Sequence, residues 1–197
     1  MAQDSSRPDF WDSRYQGHVT PWDAGTVPAQ IGTYARTLGV GARVLIPGCG
    51  SGYEVAVFAD AGLDVVALDF SEAAIERARA AVPRHADRFQ LADVFAFDPG
   101  AGFDLVYERA FLCALPRRLW DACAERYATF VRPGKCLAGY WFFDDNDRGP
   151  PFGITRQRMN DLLGGAFECV EDAPVADSIP VFAGKERWQV WRRRNAA

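Results

Sequence analysis

Val44-Leu45-Ile46-Pro47-Gly48-Cys49-Gly50-Ser51-Gly52 and, further on, Val65-Val66-Ala67-Leu68-Asp69 carry the strongest chemical pattern in this chain. An apolar run feeds a glycine-rich turn, and a second apolar run ends on a carboxylate 17 residues after Gly52. Glycines let a backbone come close to a ligand, and an acid at the tip of the next strand can take both hydroxyls of a ribose. The chemistry implied is the holding of an adenosine. Two later apolar runs end on Asp93 and on Glu108-Arg109. Asp93 reads either as a contact for an adenine amino group, with Val94 and Phe95 beside it, or as a plain turn former. Asp69 reads as the ribose ligand or as a loop carboxylate beside Ser71. Arg109 is the cation at these strand ends, with ion pairing to Glu108 or Asp104 as its competing role.

The elements that must position these residues alternate. Strands are expected over 43–47, 64–69, 88–92 and 103–107. Helices are expected over 53–61, 72–82 and 117–130, with Ser71 as an N-cap and Pro83 as a stop. Pro133-Gly134 leads into a long apolar strand over 135–143. An Asp-, Gly- and Pro-rich loop (144–153), a helix over 155–163 and two closing strands near 166–172 and 185–192 complete the chain. This rhythm predicts an α/β fold: a mostly parallel sheet with helices on both faces and an antiparallel C-terminal strand. Ahead of it, residues 1–9 read as disordered and 27–38 as an amphipathic helix. Trp11 and Tyr15, four apart, share one face of any helix there. No repeat or linker interrupts the chain, so 1–197 reads as one domain, with 10–38 as an N-terminal cap over the ligand.

Which nucleotide the turn serves follows from what it lacks. A dinucleotide fingerprint runs G-x-G-x-x-G, whereas here the glycines run G-x-G-x-G and Tyr53 holds the sixth position. The Gly-Lys-Ser/Thr of a phosphate-cradling loop is absent. The turn therefore suits a ligand without phosphates, S-adenosylmethionine. Cys49 reads as a small residue fitted between glycines, because methyl transfer from a sulfonium needs no covalent enzyme intermediate.

Composition bounds the rest. A net charge of −4 argues against nucleic-acid or anionic-membrane partners. The basic cluster Arg192-Arg193-Arg194 reads as a solvated tail. Five cysteines without metal-ligand spacing imply reduced, mostly buried thiols and no metal. His18 and His85 read as surface residues. No apolar run approaches the roughly 20 residues of a membrane span, and no signal peptide is evident, so a cytoplasmic monomer or weak homodimer is expected.

Trp11-x-x-x-Tyr15, Gly17-x-Val19-Thr20-Pro21-Trp22-Asp23, Ile46-Pro47-Gly48-Cys49-Gly50, Leu68-Asp69-Phe70-Ser71, Tyr107-Glu108-Arg109-Ala110-Phe111, Gly149-Pro150-Pro151-Phe152 and Asp177-Ser178-Ile179-Pro180 occur in this order. Together they resemble the thiopurine methyltransferase family, especially its thiol/halide methyltransferase branch. The resemblance implies a Rossmann-like class I methyltransferase that uses S-adenosylmethionine and releases S-adenosylhomocysteine. It places cofactor contacts on Trp11, Tyr15, Trp22, Gly48, Cys49, Gly50, Asp69, Phe70, Ser71, Asp93, Val94, Phe95 and Glu108. It places the acceptor side on Trp22, Arg109, Phe111 and Phe152, with Arg109 as the catalytic residue. Two departures stand out. The family commonly has tryptophan where Tyr15 stands, and thiopurine enzymes carry a histidine where Asp23 follows Trp22, which weighs against a purine thiol.

The mechanism so implied is direct transfer of the methyl group to a small soft nucleophile, a thiol first. Halide, sulfide or metalloid acceptors, or a non-catalytic cofactor-binding protein, are the alternatives. Arg109 would lower the acceptor's pKa or orient it. The 144–153 loop is a candidate lid or pocket wall, and equally a plain surface loop.

Overall fold

The computed structural model describes residues 4–195. The chain divides into two compact units, one ending at Asp98 and one beginning at Pro99.

In the first unit, helix α1 (Pro8–Gln16) is followed by α2 (Ala29–Ala35), β1 (Arg43–Pro47), α3 (Tyr53–Asp60), β2 (Asp64–Asp69), α4 (Glu72–Ala81) and β3 (Phe89–Leu91). The three strands lie in the order β3-β2-β1 and are parallel, with Val44 opposite Val65 and Ala67 opposite Phe89. Val44, Leu45, Val65, Ala67 and Leu68 are buried, the near-continuous apolar run expected of a parallel strand covered on both faces. Ser71 caps α4 as its sequence implies: its Oγ accepts the Ala74 N–H at 3.1 Å. Glu72 in the first turn and Arg79 in the last complement the helix dipole. The buried face of α4 is built from Ala74, Ile75 and Ala78. The two alanines allow close packing around Ile75.

The expected disorder of residues 1–9 needs correction. Residues 1–3 lie outside the described residues, but from Asp4 onward the chain is ordered. Pro8, with its preset φ, opens α1, and the Trp11 indole N–H donates to the Ser5 carbonyl at 2.8 Å. Ser5 is buried.

The second unit contains β4 (Phe103–Arg109), α5 (Trp120–Phe130), β5 (Val131–Phe142), α6 (Arg156–Leu163), β6 (Phe167–Pro174) and β7 (Glu186–Arg193). Its strands lie in the order β4-β5-β7-β6. β4 and β5 are parallel, and β7 runs antiparallel to both β5 and β6. The sheet is thus mostly parallel with an antiparallel C-terminal strand. Trp120, Cys123, Ala124, Tyr127 and Phe130 form the buried stripe of α5. Thr155 caps α6 through the Arg158 N–H at 3.1 Å.

Two expectations here are revised. β5 begins at Val131 rather than 135, because Val131 already pairs with Phe103. The register then jumps, Cys136 facing Leu105, and the extra residues, including Pro133 and a left-handed Gly134 (φ 74°), bulge out of the ladder. The Arg192-Arg193-Arg194 cluster is no solvated tail. Arg192 pairs with Glu168, Arg193 donates to the carbonyls of Ala128 and Ala166, and Arg194 donates to that of Gly164. Arginines at the end of β7 satisfy main-chain carbonyls that lie beside it.

Candidate functional site

The glycine turn and Asp69 meet in the first unit. Gly48 and Gly50 adopt left-handed φ values of 58° and 54°, which favour glycine. The Cys49 N–H donates to the Leu68 carbonyl at 2.8 Å, tying the turn to the end of β2. Asp69 is buried with its oxygens divided: Oδ2 accepts the Gly50 N–H at 3.0 Å and Oδ1 the Ser71 N–H at 2.9 Å. Burial pushes its carboxyl up to about 6, against the pull of these main-chain donors, so it is charged at neutral pH. Each oxygen of a carboxylate can accept more than one hydrogen bond, so both keep capacity for a ribose.

Trp11, Tyr15 and Trp22 come together as their spacing requires. The Trp22 ring stands edge-on to Trp11 at 5.3 Å and to Tyr15 at 6.1 Å between centroids. Tyr15 is buried with its hydroxyl over the glycine turn, so that a Cβ on Gly50 would fall 2.8 Å from it. Burial first, then the charge of Asp69, pushes the Tyr15 phenol well above its ordinary range and keeps it neutral. Trp11 and Trp22 are half-buried, leaving ring surface for a cation.

The other expected contacts are placed as follows. Cys49 is buried, and burial holds its thiol well above the ordinary value, the opposite of an activated nucleophile. Phe70 is half-buried. Ser71 is wholly buried: its hydroxyl donates to Asp12 Oδ1 at 2.6 Å while accepting from Ala74. Asp93 is exposed and shapes a turn, its Oδ1 accepting the Phe95 N–H at 2.9 Å and its carbonyl the Ala96 and Phe97 N–H groups. Val94 is buried in that turn and Phe95 half-buried.

Glu108, Arg109, Phe111 and Phe152 belong to the second unit. Glu108 is 1% exposed, and its Oε1 accepts the N–H groups of Phe111 and Leu112, both at 2.7 Å. That clamp shapes the turn after β4, in which Ala110 takes a left-handed φ of 60°. Burial pushes the Glu108 carboxyl up to about 8. Glu108 has little room beside it: the Cβ of any residue at Gly139, its neighbour on β5, would fall 2.0 Å from the Glu108 carbonyl oxygen. Arg109 is half-buried, its guanidinium 5.5 Å from the Tyr140 ring centroid. Its charge offsets part of the burial that raises Glu186, which accepts the Ser178 hydroxyl at 2.7 Å. Asp104, proposed as an alternative partner of Arg109, accepts from Arg132 and pairs with Lys135 at 3.1 Å.

Phe152 joins Glu108, Cys113, Trp120, Tyr140 and Trp141 around a cavity of about 10 Å³. The Phe152 N–H donates to the Cys113 carbonyl at 2.7 Å, and Arg117 donates to the carbonyls of Asn146 and Gly153 at 2.9 and 2.6 Å. The 144–153 loop is thus fastened at several points, and its Phe152 end forms a pocket wall.

Sequence reading missed Asp12, Ser51 and Arg77. Asp12 accepts the Ala73 N–H at 3.2 Å as well as the Ser71 hydroxyl, joining α1 to the start of α4. Ser51 donates to Asp23 Oδ2 at 2.6 Å, and Arg77 donates to both Ser51 Oγ and Asp23 Oδ2 at 2.9 Å. Ser51 lies within the glycine turn itself and Asp12 stands beside Trp11 in an aromatic-rich helix, so each had a local signal; nothing local marks Arg77.

The family model for thiopurine S-methyltransferase matches residues 6–194. Thiocyanate methyltransferase 1 of Arabidopsis thaliana is 31% identical over 198 residues, covering 94% of this chain and 85% of the relative. Probable thiol methyltransferase 2 of the same plant is 29% identical over 200 residues, covering 98% of this chain and 88% of the relative. Among solved structures, the 1,6-didemethyltoxoflavin-N1-methyltransferase of Burkholderia thailandensis, with bound 1,6-didemethyltoxoflavin and S-adenosylhomocysteine, gives a TM-score of 0.76 at 22% identity. That likeness covers 97% of this chain and 88% of the other and is one of fold. With strand order, glycine turn and a match along nearly its whole length in agreement, the chain belongs to the thiopurine S-methyltransferase family.

Proposed function

We propose that the chain transfers a methyl group from S-adenosylmethionine to a small soft nucleophile, with a thiol as the favoured acceptor. The observation that carries this reading is the convergence, in the first unit, of the left-handed glycine turn, the ionised Asp69 and the Trp11–Tyr15–Trp22 cluster. These residues fit the cofactor: a buried carboxylate for the ribose, a turn without side chains for close approach, and aromatic faces for a cation. The cofactor supplies an electrophilic methyl group on a sulfonium. Trp11, Tyr15 and Trp22 would favour that cation by about 0.5–2 kcal/mol and exclude water from it. Asp93, Val94 and Phe95 would meet the adenine.

In this reading Arg109 serves the acceptor. A guanidinium cannot act as an ordinary base, so it would favour the thiolate, the reactive form, or orient the acceptor. Phe111 and Phe152 would supply apolar contact to the acceptor. Most of the acceleration would come from holding the reacting atoms about 3–3.5 Å apart and in line. A small soft anion is the second reading, favoured by the cationic Arg109 and by the 31% identity to a thiocyanate methyltransferase.

The same proposal places the protein in the cytoplasm as a monomer or weak homodimer without nucleic-acid or membrane partners. The net charge of −4 supports the lack of nucleic-acid and anionic-membrane partners, and among the described residues no helix is long and apolar enough to cross a membrane.

The test is an acceptor panel of aliphatic and aromatic thiols, a thiopurine, thiocyanate, hydrogen sulfide and iodide, read by formation of S-adenosylhomocysteine. Turnover with thiols is expected. Cofactor binding with no methyl transfer to any of them would overturn the enzymatic reading.

A further inference from the structure

Arg77 lies on α4, outside every expected contact, yet it closes a three-membered ring of hydrogen bonds. Its Nη2 donates to Asp23 Oδ2 at 2.9 Å, its Nε donates to Ser51 Oγ at 2.9 Å, and the Ser51 hydroxyl donates to the same Asp23 oxygen at 2.6 Å. The other Asp23 oxygen accepts the Gly25 N–H at 2.8 Å, which sets the local turn. One ring therefore joins three pieces of chain that are far apart in sequence: the segment after α1, the glycine turn, and α4.

We infer that Arg77 is a positioning residue for cofactor binding, holding Trp22 over the glycine turn through Asp23 and Ser51. The inference rests on the cofactor reading proposed above. Trp22 immediately precedes Asp23, and its ring contacts Trp11 and Tyr15. Ser51 sits between Gly50 and Gly52, so the ring grips the turn at its centre.

The geometry suits a catch that opens and closes. The Asp23 side chain is only 6% exposed, whereas Arg77 is 34% exposed, so one face of the pair is dry and the other reaches solvent. A fully buried pair would resist opening, and a fully exposed one would be too weak to hold a segment. Asp12 makes a second tie from α1 to Ser71 and Ala73, so releasing Arg77 frees the Trp22 end while α1 stays docked. Cofactor exchange would then require the Trp22 segment to lift, at a rate set by this ring.

The experiment is stopped-flow release of S-adenosylhomocysteine, followed by tryptophan fluorescence, in wild type, Arg77→Ala, Arg77→Lys, Asp23→Asn and the Arg77→Ala/Asp23→Asn double variant. Loss of a charge-assisted hydrogen bond predicts release faster by about tenfold or more in Arg77→Ala. It also predicts a raised KM for S-adenosylmethionine, with kcat at saturating cofactor much less affected. The lysine variant keeps one donor and should release at an intermediate rate. The double variant should release no faster than the faster single, because both singles break the same ring. Unchanged release in Arg77→Ala, or effects of the singles that multiply in the double, would overturn the inference. If Arg77→Ala fails to fold, Arg77→Lys and Asp23→Asn decide it by the same rates. A wild type that binds no S-adenosylhomocysteine would sink the cofactor reading itself. Tight wild-type binding with identical release in all variants would sink the catch alone.

Discussion

Alanine at position 52 should destabilise the first unit more than alanine at Gly41, a left-handed glycine with open space around it. Gly52 has φ +71°, and a Cβ there would lie 2.3 and 2.6 Å from two carbons of the Phe89 ring and 3.1 Å from the Ala78 Cβ. Phe89 cannot easily give way, being 1% exposed and paired with Ala67 on β2. The left-handed backbone alone costs an alanine about 1–2 kcal/mol. Overpacking against a rigid ring adds about 1–3 kcal/mol, giving a total of about 2–5 kcal/mol. Gly41 separates the two contributions, because its φ is +79° and nothing lies within 4 Å of its Cβ position. Gly41→Ala should therefore show only the backbone cost. At about 2–4 °C per kcal/mol for a chain of this size, the melting midpoint should fall by about 4–20 °C for Gly52→Ala and about 2–8 °C for Gly41→Ala. Thermal and urea melts of both variants beside wild type are the assay. Equal losses would refute the packing argument and leave Gly52 a matter of backbone conformation alone.

Cofactor affinity should fall as pH drops through about 6, the value to which burial raises Asp69, because protonation removes the charge that accepts ribose hydroxyls. Titration calorimetry with S-adenosylhomocysteine between pH 5 and 8 checks this. Asp69→Asn should bind at least about tenfold more weakly at pH 7.5 and lose that pH dependence, and a flat wild-type profile would refute the assignment. Arg109→Ala should lower thiol turnover most near neutral pH and least at high pH, where the thiol ionises unaided. Initial rates from pH 6.5 to 9.5 read the difference, and a loss independent of pH would leave Arg109 an orienting role only.

Most of the fold was legible because its signals are local. β1 and β2 fall on the residues their apolar runs predict, and α4 starts just after its cap Ser71 and stops before Pro83. In each case the cause lies within a few residues: β-branched side chains, a capping hydroxyl, a proline that cannot continue a helix. The misplacements have tertiary causes. β5 starts early because Val131 finds Phe103 across the ladder, and residues 4–9 are ordered because Trp11 reaches back to Ser5. The arginines at the end of β7 looked like a tail because the carbonyls they serve lie at Ala128, Gly164 and Ala166.

The same distinction divides the site. Gly48, Gly50 and Asp69 could be picked out because a turn and the next strand tip are close in sequence, and the hydrogen bond from the Gly50 N–H to Asp69 follows from that supersecondary unit. Trp11 and Tyr15 could be paired through helical periodicity. Arg77 could not, since its partner Asp23 stands 54 residues away and an arginine on a half-exposed helix face looks like any other. Gly52 was legible as a glycine but not for its reason. Its pattern in the turn points to a ligand, while the structure shows the Phe89 ring filling the space a side chain would need. A glycine motif therefore mixes demands that sequence spacing cannot separate: at Gly50 and Gly52 the protein comes close to itself, to the Tyr15 hydroxyl in one case and the Phe89 ring in the other. Gly50→Ala, which would displace Tyr15 of the proposed cofactor cluster, should therefore lower cofactor affinity, whereas Gly52→Ala, set against the buried Phe89 ring, should lower stability first.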